Sequence, residues 1–328
     1  MENLTGLWAI RPSTLELIIE AQKHGIKPAA AAQFATQQDG TTAIIPVYGV
    51  LDKYDSILLR MFGGTSLEDV SHAFKQAIAN PAIKAIHFDI DSPGGSINGV
   101  SELSDLIFSN RGKKPITAAA NGLMASAAYW IGSAADSITL SSATTIVGSI
   151  GVLSRHIDTS QREKAAGVLV TDITAGKYKA VTSQHKPLSD TGRETIQDQV
   201  DTIYSIFVED VARNRGTSTD FVRAHMADGR IFIGQQALDH GLADSMQTNG
   251  AKIMKSDDHQ KPIQSQTNGE KTMATDSQSV TEQTQQIWKT SAEIREEFCG
   301  NFETYLAYTK AESAGRIHIT GGNVQRIQ

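Results

Sequence analysis

The sequence predicts an α/β fold built on a mostly parallel sheet. Short β-branched runs alternate with stretches of helical spacing from residue 42 to residue 215, the order expected when helices cover a parallel sheet. Glycine-rich turns follow several of the strand-like runs, at Gly94-Gly95, Gly122 and Gly148, where open α/β sheets place their ligands. A chain of 328 residues with 40% hydrophobic content can also bury a core large enough to carry such a sheet.

The elements follow in order. Ser13-Thr14-Leu15-Glu16 opens a helix carrying Leu15, Ile18 and Ile19 with a capping-box pattern, and Gly25 closes it. An Ala- and Gln-rich connector, Pro28 to Gln38, joins this arm (1–38) to the main domain (39–250). Ala43 to Val47 reads as a strand, and Ser66 caps a helix through Leu67, Val70, Phe74 and Ala77. Next come a strand from Ile83 to Ile90, a helix from Ile97 to Phe108, a strand from Pro115 to Ala120 and a helix from Met124 to Ala135. Ser137 to Leu140 and Val168 to Ile173 read as further strands. Ile196, Val200, Ile203, Phe207 and Val211 recur at helical spacing in a long helix, 190–214. Asp228 to Phe232 is a short strand, Gly234 to His240 a helix, and Gly241 to Asp244 a stop. From 251 to 286 the composition turns to Gln, Ser, Thr, Asp and Lys, too polar to offset the entropy of ordering, so disorder is expected. Trp288 to Arg316 regains helical spacing, which completes a C-terminal extension, 251–328.

Composition narrows the function. A net charge of −6 with scattered Lys and Arg argues against nucleic acid as the main partner. The single Cys299 cannot form an internal disulfide, which fits a reducing compartment. There is no His-Glu-x-x-His and no close His pair, so no metal and no cofactor are expected. The N-terminus is neither basic nor followed by an apolar stretch, so neither a signal peptide nor a membrane anchor is expected. The uncharged run from Pro115 to Ala135 is broken by Asn121, Gly122 and Ser126 and reads as strand-turn-helix rather than a membrane span.

Four stretches carry chemistry. Ser126, between alanines at a strand-to-helix turn, is either an ordinary helix cap or a nucleophile beside unpaired backbone amides. Asp91-Ser92-Pro93-Gly94-Gly95 is turn chemistry, or a place where glycine backbone amides approach a bound carbonyl closely. Val147-Gly148-Ser149-Ile150-Gly151 lacks the Gly-Lys-Ser/Thr ending of a phosphate loop. Ala175-Gly176-Lys177-Tyr178-Lys179 puts two lysines in a loop. His156, just past the Gly-Ser-Ile-Gly stretch, is a candidate base of another kind, since a histidine needs almost no pKa shift.

Together with Asp228-Gly229-Arg230-Ile231-Phe232, these motifs resemble those of peptidase family S49, the signal peptide peptidase A group. Its motifs look like Asp-Ser-Pro-Gly-Gly, Ala-Ser-Gly-Gly-Tyr, Thr-Gly-Ser-Ile-Gly-Val, Ser-Gly-x-x-Lys and Asp-Gly-Arg. The match spans about residues 40–248, with Ala127-Ala128, Val147 and Ala175 as the departures. The resemblance implies the spiral βαβ fold shared with Clp protease and crotonase. It implies an ATP-independent serine endopeptidase in which Ser126 is the nucleophile, Lys179 the base, Gly94 and Gly95 the oxyanion site, and Ser149 a group that orients the lysine. Half-neutralising an ordinary lysine near pH 7 costs about 4–5 kcal/mol, so Lys179 requires a buried setting without a carboxylate. His156 stays open as the alternative base.

The polar tail and short N-terminal arm resemble the phage prohead protease branch. That implies a symmetric homo-oligomer in the host cytoplasm or a procapsid, acting on capsid or scaffold proteins and on its own tail, with small residues beside the cut. An internal start at Met273 is a further expectation. The alternatives are a cytoplasmic signal-peptide-peptidase-like protease degrading peptides, a crotonase-like acyl-CoA enzyme, and a scaffold carrying an inactive protease domain.

Overall fold

The computed structural model describes residues 6–23, 34–56, 59, 63–248, 251–254, 317–320 and 323–326. The chain forms two compact units, 1–257 and 258–328. In the second, β13 (Ile317–Thr320) pairs antiparallel with β14 (Asn323–Arg326).

The first unit is organised on three long strands, β3 (Thr42–Asp52), β5 (Ala85–Ser96) and β6 (Ile116–Ala125), which pair in parallel in the order β3-β5-β6. Alternate residues point to one face. Ile45, Val47, Phe88, Ile90, Ala118 and Ala120 are buried there in the core formed with α2 (Leu67–Ala79), α3 (Val100–Phe108), α4 (Ala127–Ser133) and α6 (Asp190–Arg215). The opposite face carries Tyr48, His87, Asp89, Thr117 and Asn121, half-buried or exposed. The Tyr48 hydroxyl donates to Asp89.

Each long strand pairs differently along its length. Register shifts fall between Tyr48 and Val50 against β5, and between Ile90 and Ser92 against β6. Before the shift β6 lies beside β7 (Ser137–Leu140), and after it beside β8 (Ile146–Gly148). Past its shift, β5 keeps β3 on one side and gains β1 (Leu7–Ile10) on the other. β1 in turn pairs with β9 (Leu153–Ser154), and β3 also pairs with β2 (Gln37–Asp39) and β4 (Gly64–Ser66). The sheet therefore opens at the ends of its central strands, where Gly94, Gly95, Ser126 and Ser149 stand.

Several expected elements are present with shifted ends. α1 spans Pro12–Lys23, and Ser66 caps α2 by accepting from Asp69 N at 3.4 Å. β7 matches its expected bounds, and α6 begins on the Ser189 hydroxyl and ends on Gly216 at φ 63°. β10 (Ile231–Ile233) and α8 (Gln235–Asp239) follow.

Other expectations are corrected. The expected N-terminal arm contributes β1 to the main sheet. Val168 to Ile173 forms no strand: Leu169 and Ile173 are 92% and 94% exposed, and no strand of the described residues pairs with them. The segment after residue 250 begins as a strand, β12 (Ala251–Met254), paired with β11 (Ser245–Thr248). α5 (Ser160–Ala165) and α7 (Thr219–His225) were not anticipated. The connector 28–33, the tail from 255 to 286, Met273 and the helix expected at 288–316 lie outside the described residues. No helix among the described residues is long and apolar enough to cross a membrane.

Candidate active site

Ser126 sits where β6 ends and α4 begins, with φ 57° and ψ −120°. A side chain at positive φ is strained, because its Cβ crowds the adjacent carbonyl. Among the described residues, Ser126 and Ser149 are the non-glycine positions with positive φ. Such outliers persist where the surroundings over-determine them, and those at Ser126 are visible. Its amide donates to Gly148 O at 2.7 Å, and its carbonyl accepts from Trp130 N at 2.9 Å. The side chain is fully buried and its hydroxyl has no hydrogen-bond partner.

The helix behind the serine is clamped by groups that sequence reading missed. Trp130 Nε1 donates to Asp210 Oδ2 at 2.8 Å, and its ring stacks on Phe207 at 4.2 Å between centroids. Asp210 also accepts from the Ser101 hydroxyl at 2.9 Å and pairs with Arg213 at 3.2 Å. Tyr129 OH donates to Leu242 O, and burial pushes its phenol well above the ordinary range. Arg111 donates to the carbonyls of Ser133, Ala134, Ala135 and Asn214, satisfying the otherwise unpaired C-terminal end of α4. These partners lie up to 113 residues away in sequence, and no local pattern announces them.

Gly94 lies against the serine turn, and neither it nor Gly95 tolerates anything larger than hydrogen. A Cβ on Gly94, at φ 94°, would stand 2.3 Å from Ala9 O and 3.0 Å from both Ala125 O and Ala127 N. A Cβ on Gly95 would stand 1.9 Å from Leu51 O. Ser92 fixes this loop: its hydroxyl donates to Gly49 O at 2.6 Å and accepts from Gly94 N at 3.1 Å. The first-turn amide at Ala127 has no acceptor within its own helix and borders the same space. Burial raises the Asp91 carboxyl above its usual range, while the Leu123 amide pulls it partly back.

Ser149 follows Gly148, the acceptor of the Ser126 amide, and is buried with φ 51°. Its own amide donates to Arg230 O at 2.7 Å, so the Asp228-Gly229-Arg230 motif supports the Gly148-Ser149 turn. The two strained serines thus end neighbouring parallel strands.

Neither candidate base is bonded to Ser126. Lys179 lies exposed on the excursion between Thr159 and His185, with its amide donating to Gly176 O, and the Ser126 hydroxyl has no partner. The ends of that excursion are clasped. Thr159 N donates to Gln184 O at 2.8 Å, the Thr159 hydroxyl donates to Glu163 at 2.7 Å, and Glu163 meets His185 at 2.9 Å. His156 is half-buried with an unpartnered Nε2, beside a cavity of about 400 Å³ lined also by Leu7 and Tyr178. A larger cavity of about 490 Å³, lined by Ile97, Asn98, Gly99 and Trp130, lies past the end of β5. Ser126 lines neither.

Residues 109–262 match peptidase family S49. The chain is 32% identical over 204 residues to the head-tail preconnector protein GP5 of Enterobacteria phage P21, which covers 62% of this chain and 40% of that one. It is 32% identical over 215 residues to the capsid assembly protease C of Escherichia phage lambda, covering 65% and 48%. The chain thus spans less than half the length of these two relatives.

Proposed function

We propose that this chain, whose residues 109–262 match peptidase family S49, is a serine endopeptidase of that family with Ser126 as nucleophile and Lys179 as general base. The observation that carries the reading is Ser126 itself, strained at φ 57° with a buried hydroxyl that bonds to nothing. A helix cap would bond its own helix amides and would have no need of that backbone.

In this assignment a neutral Lys179 amine takes the Ser126 Oγ proton as Oγ attacks the carbonyl carbon of the scissile peptide. Amides of Gly95 and Ala127 hold the resulting oxyanion. The Lys179 ammonium then gives its proton to the leaving amine, and water repeats the sequence on the acyl-serine. Ser149, fixed beside Gly148, orients the lysine. The split parallel sheet agrees with the spiral fold shared with Clp protease and crotonase. An acyl-CoA enzyme on that fold has no use for a strained serine.

Lys179 reaches a buried setting by association. The excursion that carries it exposes Val168, Leu169, Val170, Ile173 and Tyr178, an apolar surface suited to a second copy of the chain, so the dyad forms between protomers. The similarity to two phage proteins, one named a capsid assembly protease, supports capsid or scaffold proteins as substrates. The test is complementation: Ser126→Ala and Lys179→Ala proteins, each inactive on a casein or capsid-protein substrate, regain activity when mixed. Full activity in either variant alone refutes the dyad. Two inactive variants that never complement place it within one chain.

A further inference from the structure

We infer that the groove between Gly94–Ser96 and Leu153–Ser154 is a strand-addition site for an extended peptide, and that the chain's own β1 occupies it as an internal pseudosubstrate with Ala9 at the position of attack. Only the meaning given to Ala9 rests on Ser126 as nucleophile; the occupancy rests on pairing alone.

The groove arises from the topology. β5 and β6 are paired as far as Ser92 and Met124, after which β6 turns away to β8. The edge of β5 that this frees is filled by β1, with Trp8 opposite Ser96, Ala9 opposite Gly95 and Ile10 opposite Gly94. The other edge of β1 meets β9, with Leu7 opposite Ser154 and Trp8 opposite Leu153. A four-residue strand held antiparallel on both sides through its backbone is the geometry of a peptide recognised by strand addition.

The register aims one carbonyl at the serine turn. Arg11 N donates to Pro93 O at 3.0 Å and Ile97 N donates to Leu7 O at 3.5 Å. Antiparallel pairs alternate between bonded and non-bonded, so Ala9 and Gly95, midway between these two, form a bonded pair with Gly95 N on Ala9 O. The same Ala9 oxygen crowds the face of Gly94 that Ala125 O and Ala127 N also border. The carbonyl of the Ala9–Ile10 bond therefore lies among the groups assigned to the oxyanion. Ala9 is fully buried. Ser126 is sealed in the same arrangement.

β1 is shared between two clusters: Trp8 and Ile10 pack with Leu15, Ile18, Ile19, Val50 and Leu59, apart from the main core, while Ala9 belongs to the main core.

The test uses full-length protein carrying Ser126→Ala, so that nothing is cut, and a fluorescent ten-residue peptide containing Leu-Trp-Ala-Ile. Saturating peptide should speed amide hydrogen exchange across residues 7–10 by at least tenfold, while the Gly95 and Ile97 amides stay protected. Adding Ala9→Arg, whose side chain cannot enter the site, should tighten peptide binding by about tenfold or more, the factor expected when the docked strand leaves roughly a tenth or less of the molecules free. Peptide binding with unchanged exchange at 7–10 overturns the proposal, as does a folded Ala9→Arg protein that binds the peptide no better. Trp8→Gly, which loosens β1 without steric conflict, gives the same readings if Ala9→Arg fails to fold. Comparing Ala9→Arg proteins with and without Ser126→Ala separates the two proposals: peptide binding in both, with casein cleavage unchanged by Ser126→Ala, removes the nucleophile and leaves the groove.

Discussion

Replacing Ser126 by glycine should make the protein more stable and inactive. The backbone at Ser126, φ 57° and ψ −120°, is nearly that of Gly234, which opens α8 at φ 50° and ψ −114°. Glycine adopts such torsions freely, whereas a residue with a Cβ held there costs about 1–3 kcal/mol. The buried, unpartnered hydroxyl adds an unmet desolvation cost of about 1–3 kcal/mol. Against these stands the greater backbone entropy glycine loses on folding, about 0.5–1 kcal/mol. The balance at the low ends of these ranges is a gain of about 1–1.5 kcal/mol, or about 2–6 °C in Tm for a unit of this size. Ser126→Ala removes the hydroxyl but keeps the Cβ, so its gain should be smaller. Calorimetry of the three proteins, alongside peptide cleavage, checks the order Gly above Ala above Ser in stability, with cleavage by the serine protein alone. A Ser126→Gly protein that melts below the parent refutes the argument, since the serine would then be bonded and unstrained.

Three further outcomes follow from the site. Lys179→Met should leave chemical denaturation within about 0.5 kcal/mol of the parent, as befits an exposed side chain, yet abolish cleavage. Asp210→Ala strips the Trp130 indole and Ser101 hydroxyl of their acceptor and should cost about 2–4 kcal/mol in urea unfolding, with activity falling as α4 loosens. The clasp at Glu163 is sensitive to acid. The Thr159 hydroxyl first, and His185 second, hold the Glu163 carboxyl below its ordinary value. A depressed carboxylate contributes stability above its unfolded pKa and loses it as pH falls through the folded value. Limited proteolysis within 160–184 should therefore accelerate below about pH 4.5, and Glu163→Gln should flatten that response.

What the sequence made legible was local. The cap at Ser66, the spacing of Ile196 through Val211, and the short strand Ser137 to Leu140 depend on neighbours within a few residues, and each formed as expected. The strand reading of Val168 to Ile173 failed because β-branched composition creates no partner, and none pairs with it among the described residues. The Asp91–Ser96 stretch failed the other way. Its Pro-Gly-Gly chemistry reads as a turn, yet pairing with β3 and β1 carries β5 straight through it. Glycine is needed there for close approach to Leu51 and Ala9. Sequence brought out Ser126, Gly94, Gly95 and Ser149 as candidates, and the structure gathers them at the ends of β5, β6 and β8. The clamp of Trp130, Asp210 and Arg111 was not legible, since its bonds join residues 80 and 103 positions apart.

The exposed lysine and the sealed serine have a common consequence. In a single chain Ser126 is strained but covered, and Lys179 is exposed. Both conditions must change for the proposed chemistry to run: β1 must leave the groove, and the loop carrying Lys179 must be buried. The cavity beside His156 is lined by Leu7, next to Trp8 of β1, and by Tyr178, next to Lys179. A second copy seated on the apolar excursion would therefore press on the end of β1 as it desolvates the lysine. On the proposed reading, one association event uncovers Ser126 and desolvates Lys179 together, so an isolated chain is expected to stay inert until it assembles.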